Sequence, residues 1–190
     1  MNSFKKISIA TAAALAIVGI SVAPSSAAPL AVTVATVANA TTLAAPTTVA
    51  VPSANQITSG TSVALAATAD TSTVVSFVAS DTVKLVTALH TTDAPKTIAS
   101  GVSTLSITSA GTAVTVYAYT TSVKVGTVTI TNGAYSTIVY IKGIAGAASN
   151  VAVAVPAASA VGTIPTITVS ATDVFGNPIL TGETITATVI

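Results

Sequence analysis

Apolar and polar residues alternate with a period of two through most of the chain after residue 30. The alternation is clearest at Val114, Val116 and Ala118, and again at Val128 and Ile130, where Thr or Tyr occupies the intervening positions. A period of two places successive side chains on opposite faces of a strand, and β-branched residues favour strands. The pattern predicts strands at residues 31–38, 47–51, 62–68, 73–79, 83–89, 103–109, 113–120, 125–131 and 136–142, with two more at 150–155 and 165–172.

Turn-forming residues separate these runs, and Asn132-Gly133 is the strongest of the signals. Asn-Gly between two alternating runs is typical of a type I′ hairpin, which needs positive φ at both turn residues. We therefore expect residues 125–131 and 136–142 to pair antiparallel, through a loop slightly longer than two residues. Many short strands separated by turns predict an all-β fold with an antiparallel β-sandwich domain.

The first 27 residues have a different pattern, that of a Sec-type signal peptide. Lys5 and Lys6 precede an apolar stretch at residues 7–22, and Ser25 and Ala27 supply small residues at the −3 and −1 positions of a cleavage site. We expect an N-terminal signal helix that is removed after Ala27, which makes the protein secreted or cell-surface. No later apolar run is long enough to span a bilayer.

Charge is scarce in the whole chain, at 6% of all residues, and arginine and cysteine are absent. Six Lys against five acids give a net charge of +1, and removing two lysines with the leader leaves 4 − 5 = −1. Without a basic cluster we expect no binding to nucleic acid. Without disulfides, the stability of an exported domain must come from core burial and strand pairing.

Small, uncharged residues after Lys142 predict a boundary between two domains. We assign residues 28–46 to an N-terminal strand or tether, 47–143 to the sandwich, 144–149 to a linker and 150–190 to a partial second domain. Because the second domain has too few strands to close, we expect the strands after Asn150 to be exposed and unpaired. Any anchor is expected beyond Ile190 or to be non-covalent.

Asp173, Gly176, Asn177 and Pro178 form the most informative motif, at the turn after the strand predicted at 165–172. The Asp173 side chain can accept hydrogen bonds from backbone N–H groups of the turn, and Gly176 can take positive φ. Asn177 is held extended by Pro178, which begins the next strand without needing a donor. These four residues are thus predicted to build the turn rather than to bind a ligand.

With the strand before it, this turn resembles the bacterial immunoglobulin-like domains of invasin/intimin-type adhesins and of surface-layer proteins. The match continues at Ile179, Gly182 and Ile185, although one extra residue separates Pro178 from Gly182. The resemblance covers residues 150–190, which is less than half of a typical sandwich domain. It implies an incomplete immunoglobulin-like β-domain, and tandem modules that extend from a cell surface as spacers or adhesion units.

Catalytic and metal-binding patterns are absent from the sequence. The five acids are isolated, His90 is the single histidine, and no Gly-x-Ser-x-Gly motif occurs. We therefore predict that the chain is not an enzyme and has no cofactor. Ca²⁺ remains the one metal to consider, since acids at the loop ends of surface sandwiches can bind it, but no Asp-x-Asp-x-Asp-Gly run is present.

Tyr117 and Tyr119 lie on one face of a predicted strand, and two interpretations stay open for them. Exposed rings could form a platform on which a sugar stacks, as in a carbohydrate-binding accessory module of an exported enzyme. Alternatively, the rings pack internally with their hydroxyls at the rim.

The leading interpretation is a secreted or cell-surface structural or adhesion protein, an adhesin-like or surface-layer fragment. Its partners would be itself or other proteins and glycans of the cell envelope. The carbohydrate-binding module is the alternative. A third hypothesis is self-assembly through strand edges, because strands with so few charges have little protection against edge pairing.

Overall fold

A computed structural model describes residues 30–34, 37–38, 42–80, 82–154, 160 and 167–179. Apart from a 3₁₀ turn at Ile98–Ser100, the regular structure in these ranges is entirely strand, which confirms the all-β prediction. The predicted signal peptide at residues 1–27 lies outside the described residues. The strands are β1 (Ala31–Val34), β2 (Val37–Ala38), β3 (Thr47–Ala50), β4 (Val63–Thr68), β5 (Val74–Ala79), β6 (Val83–Val86), β7 (Thr104–Thr108), β8 (Val114–Thr120), β9 (Val125–Asn132), β10 (Tyr135–Ile144), β11 (Asn150–Ala154) and β12 (Thr168–Thr172).

Ten of these strands form two five-stranded sheets that share one hydrophobic core. The first sheet has the order β2-β1-β4-β8-β6, and the second has the order β3-β10-β9-β5-β7. The core receives side chains from both sheets, such as Leu65 and Val116 from the first and Phe77 and Ile130 from the second. This shared core is the feature of a β-sandwich. The two remaining strands, β11 and β12, form a separate two-stranded sheet.

The period-two pattern explains which side chains enter the core. Along β9, Val128 and Ile130 are fully buried while Thr127, Thr129 and Thr131 are half-exposed on the outer face. A slip of one residue would reverse the two faces and bury the threonines, so the pattern fixes the register of the strand.

One pairing differs from the antiparallel sandwich that the sequence predicts. β3 runs parallel to β10, with Thr47 opposite Ile141 and Ala50 opposite Ile144. β10 thus extends through Gly143 and Ile144, the latter inside the predicted linker. A side chain at Gly143 would collide with the backbone carbonyl of Ser122, so glycine here permits close packing rather than flexibility.

The β9–β10 hairpin is confirmed, but its turn is shorter than expected. Asn132 pairs with Tyr135, which leaves a two-residue turn of Gly133 and Ala134. Only Gly133 has positive φ, at 56°, which is the pattern of a type II′ turn rather than type I′. Asn132 therefore belongs to the strand, where its side chain is 4% exposed and donates to Thr73 Oγ1 at 2.9 Å and to the Val74 carbonyl at 3.0 Å.

Residues 87–102, which we call the strap, cover part of the outer face of the first sheet. Beneath the strap, Ile57, Val86 and Tyr119 are buried in a second small cluster, with Ile98 and Tyr117 packed against it. The predicted strand at 83–89 ends at Val86, where the strap begins.

The C-terminal ribbon consists of β11, β12 and the turn that leads to Ile179. β11 and β12 pair antiparallel, so the expectation of unpaired strands after Asn150 was wrong. The expectation of exposure was right for β11, all five residues of which are exposed. Ile179 N–H donates to the Ala171 carbonyl at 3.0 Å, which returns the chain alongside β12.

Candidate functional site

The Asp173 turn has the internal hydrogen bonds that its sequence predicts. Oδ1 of Asp173 accepts hydrogen bonds from the backbone N–H of Phe175 and of Asn177, each at 2.9 Å. The Gly176 N–H donates to the Asp173 carbonyl at 3.0 Å, and Gly176 has φ of 81°. Asp173 therefore builds this turn as an acceptor, and Gly176 supplies its positive φ.

Asn177 has a further role, because its side chain connects the ribbon to the sandwich. Nδ2 donates to the backbone carbonyl of Thr121 at 2.9 Å, and Oδ1 accepts from the backbone N–H of Val123 at 3.2 Å. Thr121 and Val123 lie between β8 and β9 in the sandwich. The second proton of Nδ2 goes to Asp173 Oδ2 at 2.8 Å. A primary amide has two N–H donors, so both donors of the Asn177 side chain have partners, and the residue is 8% exposed.

Asp173 supplies the second connection. Its Oδ2 accepts a hydrogen bond from the backbone N–H of Gly146, in the segment that follows β10, at 3.2 Å. We call Asp173, Asn177, Thr121, Val123 and Gly146 the joint. A buried amide with unsatisfied groups would be costly, so these partners hold the ribbon in one position on the sandwich.

The carboxylate of Asp173 is fully buried, and its ionisation depends on its partners. Burial by itself would raise the pKa of Asp173, because it disfavours the charged form. Hydrogen bonds from the side chain and backbone of Asn177, and from the backbone N–H groups of Gly146 and Phe175, outweigh this effect and lower the pKa below its usual value. The joint therefore contains a carboxylate that accepts four hydrogen bonds and stays charged at neutral pH.

Two clefts lie where the ribbon meets the sandwich. One has a volume of about 310 Å³ and is bounded by Val123, Ile144, Pro178 and Ile179, with Lys142 as the charged residue in its wall. Another, of about 420 Å³, lies between the loop that begins at Pro52 and the side chains of Val174 and Phe175.

The two tyrosines of the proposed sugar platform lie on one strand face, as predicted, but the strap covers them. Tyr119 is fully buried and its hydroxyl donates to the Ile98 carbonyl at 2.5 Å. Burial raises the pKa of Tyr119, and a hydrogen bond with the Gly101 backbone opposes that rise only in part. Tyr117 is half-buried against the same cluster. These positions correspond to the packing interpretation, since the Tyr119 ring has no face left for a sugar.

Other side chains that could act in catalysis or bind a metal lie far from one another. His90 Nδ1 accepts a hydrogen bond from the Lys96 backbone N–H at 3.1 Å, which fixes a loop in the strap. Asp81 and Glu183 lie outside the described residues. Among the residues that the structure does describe, no three His, Cys, Asp or Glu side chains are grouped as metal ligands would be. No buried side-chain nitrogen or oxygen within the same residues lacks a partner.

The sequence interpretation missed the bonds of the joint to Thr121, Val123 and Gly146. The sequence predicted an extended backbone at Asn177 from the proline that follows it, and it assigned no partner to the side-chain amide. No local signal identified these partners, because they are backbone atoms of residues distant in the chain.

The fold and the joint define a class of protein, a β-sandwich followed by a second β-element that is fixed by side chains of its own turn. Comparisons of the chain with protein-family models, curated proteins and solved structures found no match. In the described ranges, no helix combines the length and the apolar character needed to cross a membrane.

Proposed function

We propose that this chain is a secreted or cell-surface structural or adhesion protein that acts by presenting β-modules in a fixed arrangement, without catalysis. The observation that carries the proposal is the joint. An isolated hairpin is marginally stable at best, whereas side chains of the Asp173 turn bond it to the backbone of the sandwich. Such an arrangement suits a spacer or adhesive stalk, where each module must keep its orientation.

The strand order of the sandwich supports an immunoglobulin-like assignment. The neighbours β1-β4-β8-β6 correspond to strands A-B-E-D, and β10-β9-β5 correspond to G-F-C. β7 then occupies the place of C′ beside C. One feature differs, since the chain enters β6 before β7. With the Asp173 turn, this order supports two successive modules of one structural type, of which the second is partial.

The leader and the composition support the location. Lys5 and Lys6, the apolar stretch and the small residues before Ala28 follow the pattern of an export signal. The chain has no cysteine and is stabilised by two sheets around a shared core, so its stability does not depend on the redox state of its surroundings. Such a chain is suited to the oxidising environment outside the cell.

Fractionation of the cells that make the protein, with mass spectrometry of its N-terminus, tests the proposal. We expect the chain in the envelope or the medium, beginning at Ala28. A matched variant, Ala27→Leu, should retain the leader, because cleavage needs a small residue at that position. An unprocessed wild-type chain in the cytoplasm would contradict the proposal.

A further inference from the structure

The four outer strands of the sandwich differ in how their free edges are protected. In the first sheet, β2 has two residues in the described part of the chain, and β6 is covered where Leu85 and Val102 exchange backbone hydrogen bonds at 2.9 and 3.0 Å. In the second sheet, β3 has four residues with Pro46 before it and Pro52 after it. Short strands and prolines are common protection against edge pairing. The fourth outer strand, β7, has five residues and neither of these features.

The backbone of β7 presents a row of donors and acceptors to its free edge. Ala79 N–H donates to the Ser103 carbonyl and Ser109 N–H to the Thr73 carbonyl, both at 2.8 Å, at the two ends of the β5–β7 ladder. Because ladder bonds alternate, Leu105 and Ile107 bond toward β5. The N–H and C=O groups of Thr104, Ser106 and Thr108 therefore point away from the sheet, and their side chains are exposed.

The sequence of β7 is almost the same in both directions. It reads Thr-Leu-Ser-Ile-Thr, so an antiparallel copy centred on Ser106 places Thr opposite Thr, Ser opposite Ser and Leu opposite Ile. Threonine–threonine and aliphatic cross-strand pairs are favourable. Leu105 and Ile107 are half-buried at the margin of the main core, so a second copy would extend that core.

We propose that β7 pairs antiparallel with β7 of a second copy of this chain, about a two-fold axis at Ser106. The pairing joins two five-stranded sheets into one ten-stranded sheet. It forms about six backbone hydrogen bonds, two for each of the three pairs whose groups face the edge. An isologous contact of this kind closes as a dimer.

Charge does not oppose this pairing. Lys84 donates from Nζ to Ser103 Oγ at 2.7 Å, next to the start of β7. A two-fold axis at Ser106 places the two Lys84 side chains at opposite ends of the interface. No residue of β7 is charged, so no like charges meet at the axis.

The test is sedimentation equilibrium of the protein as isolated from the cells that make it, over a wide concentration range. Wild type should show a monomer–dimer equilibrium. Ser106→Lys places two like charges opposite each other at the axis and should weaken the dimer by about ten-fold or more. Ser106→Glu should do the same, while an equal mixture of the two variants should associate again as a heterodimer. Ser136→Lys, at an exposed serine of β10 in the same sheet, is the matched control and should leave the dimer unchanged.

Amide exchange of the wild type gives a second readout that needs no variant. The Thr104, Ser106 and Thr108 amides should exchange more slowly as concentration rises, whereas those of Leu105 and Ile107 should not change. A wild type that is monomeric at every concentration would overturn the proposal. So would a dimer that Ser106→Lys does not weaken, or mixed Lys and Glu variants that stay apart. The inference does not rest on export, since a cytoplasmic chain could still dimerise and an exported one could remain monomeric.

Discussion

The β9–β10 turn and the Asp173 turn use similar residues, yet they connect different parts of the molecule. In the hairpin, Asn132 donates to Val74 at the start of β5 and to Thr73 just before it, inside the sheet to which it belongs. In the Asp173 turn, the Asn177 amide reaches Thr121 and Val123, on the other side of the boundary between ribbon and sandwich. Both amides are nearly buried. The comparison teaches that turn chemistry predicts the local bend, while the partner of a spare amide decides whether the turn closes a hairpin or joins two modules.

The largest effect is expected from Asp173→Ala, which should weaken the Asp173 turn and leave the β9–β10 turn unchanged. It removes the acceptor of four hydrogen bonds from the joint and leaves buried donors without a partner. Bonds to a charged acceptor contribute strongly, so we expect the joint to lose about 3 kcal/mol. Exchange of the Gly146 and Asn177 amides should accelerate by about 100-fold.

The sandwich itself is the internal control for this variant. Tyr119 is buried beneath the strap, so near-ultraviolet circular dichroism of the tyrosines reports on sandwich unfolding. The urea midpoint of sandwich unfolding in Asp173→Ala should stay close to that of wild type. If the midpoint fell together with the accelerated exchange, ribbon and sandwich would be one cooperative unit and the distinction between the turns would fail.

Asn132→Ala should destabilise the sandwich and leave the joint unchanged, which is the opposite of Asp173→Ala, and its effect should be somewhat smaller. It removes two hydrogen bonds from a site that is 4% exposed and leaves the Val74 carbonyl without this donor. We expect the free energy of sandwich unfolding to fall by about 2 kcal/mol, measured by urea denaturation. Gly146 exchange through local opening of the joint should not change. Asn132→Asp is a useful companion, because it keeps the shape but cannot donate, and it should be at least as destabilising.

Local rules explain why much of the fold could be predicted from the sequence. The alternation in β4, β8 and β9 reflects one buried and one outer face, and each of these strands begins within one residue of its predicted start. The turn at Gly176 was also predictable, since its glycine φ and the acceptor role of Asp173 depend on neighbours within four residues.

What sequence reasoning missed depends on distant residues. Burial of Tyr119 was one of two interpretations that the sequence left open, because strand periodicity cannot reveal that the strap returns over the outer face of the sheet. The parallel pairing of β3 with β10 joins residues that are far apart in the chain. Asn177 binds backbone atoms of Thr121 and Val123, and backbone partners leave no mark in the side-chain sequence.

The smallest effect, and the finest test of the comparison, is the dependence on pH. The folded-state pKa of Asp173 is lowered, so ionisation of this carboxyl stabilises the joint. That contribution is fully present above the ordinary carboxyl pKa of about 3.9 and is lost as the pH falls through the lowered folded-state value. Amide chemical shifts of Gly146 and Phe175 should therefore be constant from neutral pH to about pH 4 and change below it. Asp173→Asn should abolish this transition, because an amide does not titrate. The β9–β10 turn has no ionisable side chain at its centre, so the chemical shift of its Gly133 amide should not follow the titration of Asp173. An equal response at Gly133 would mean that acid acts on the whole sandwich, and the joint would then have no separate titration.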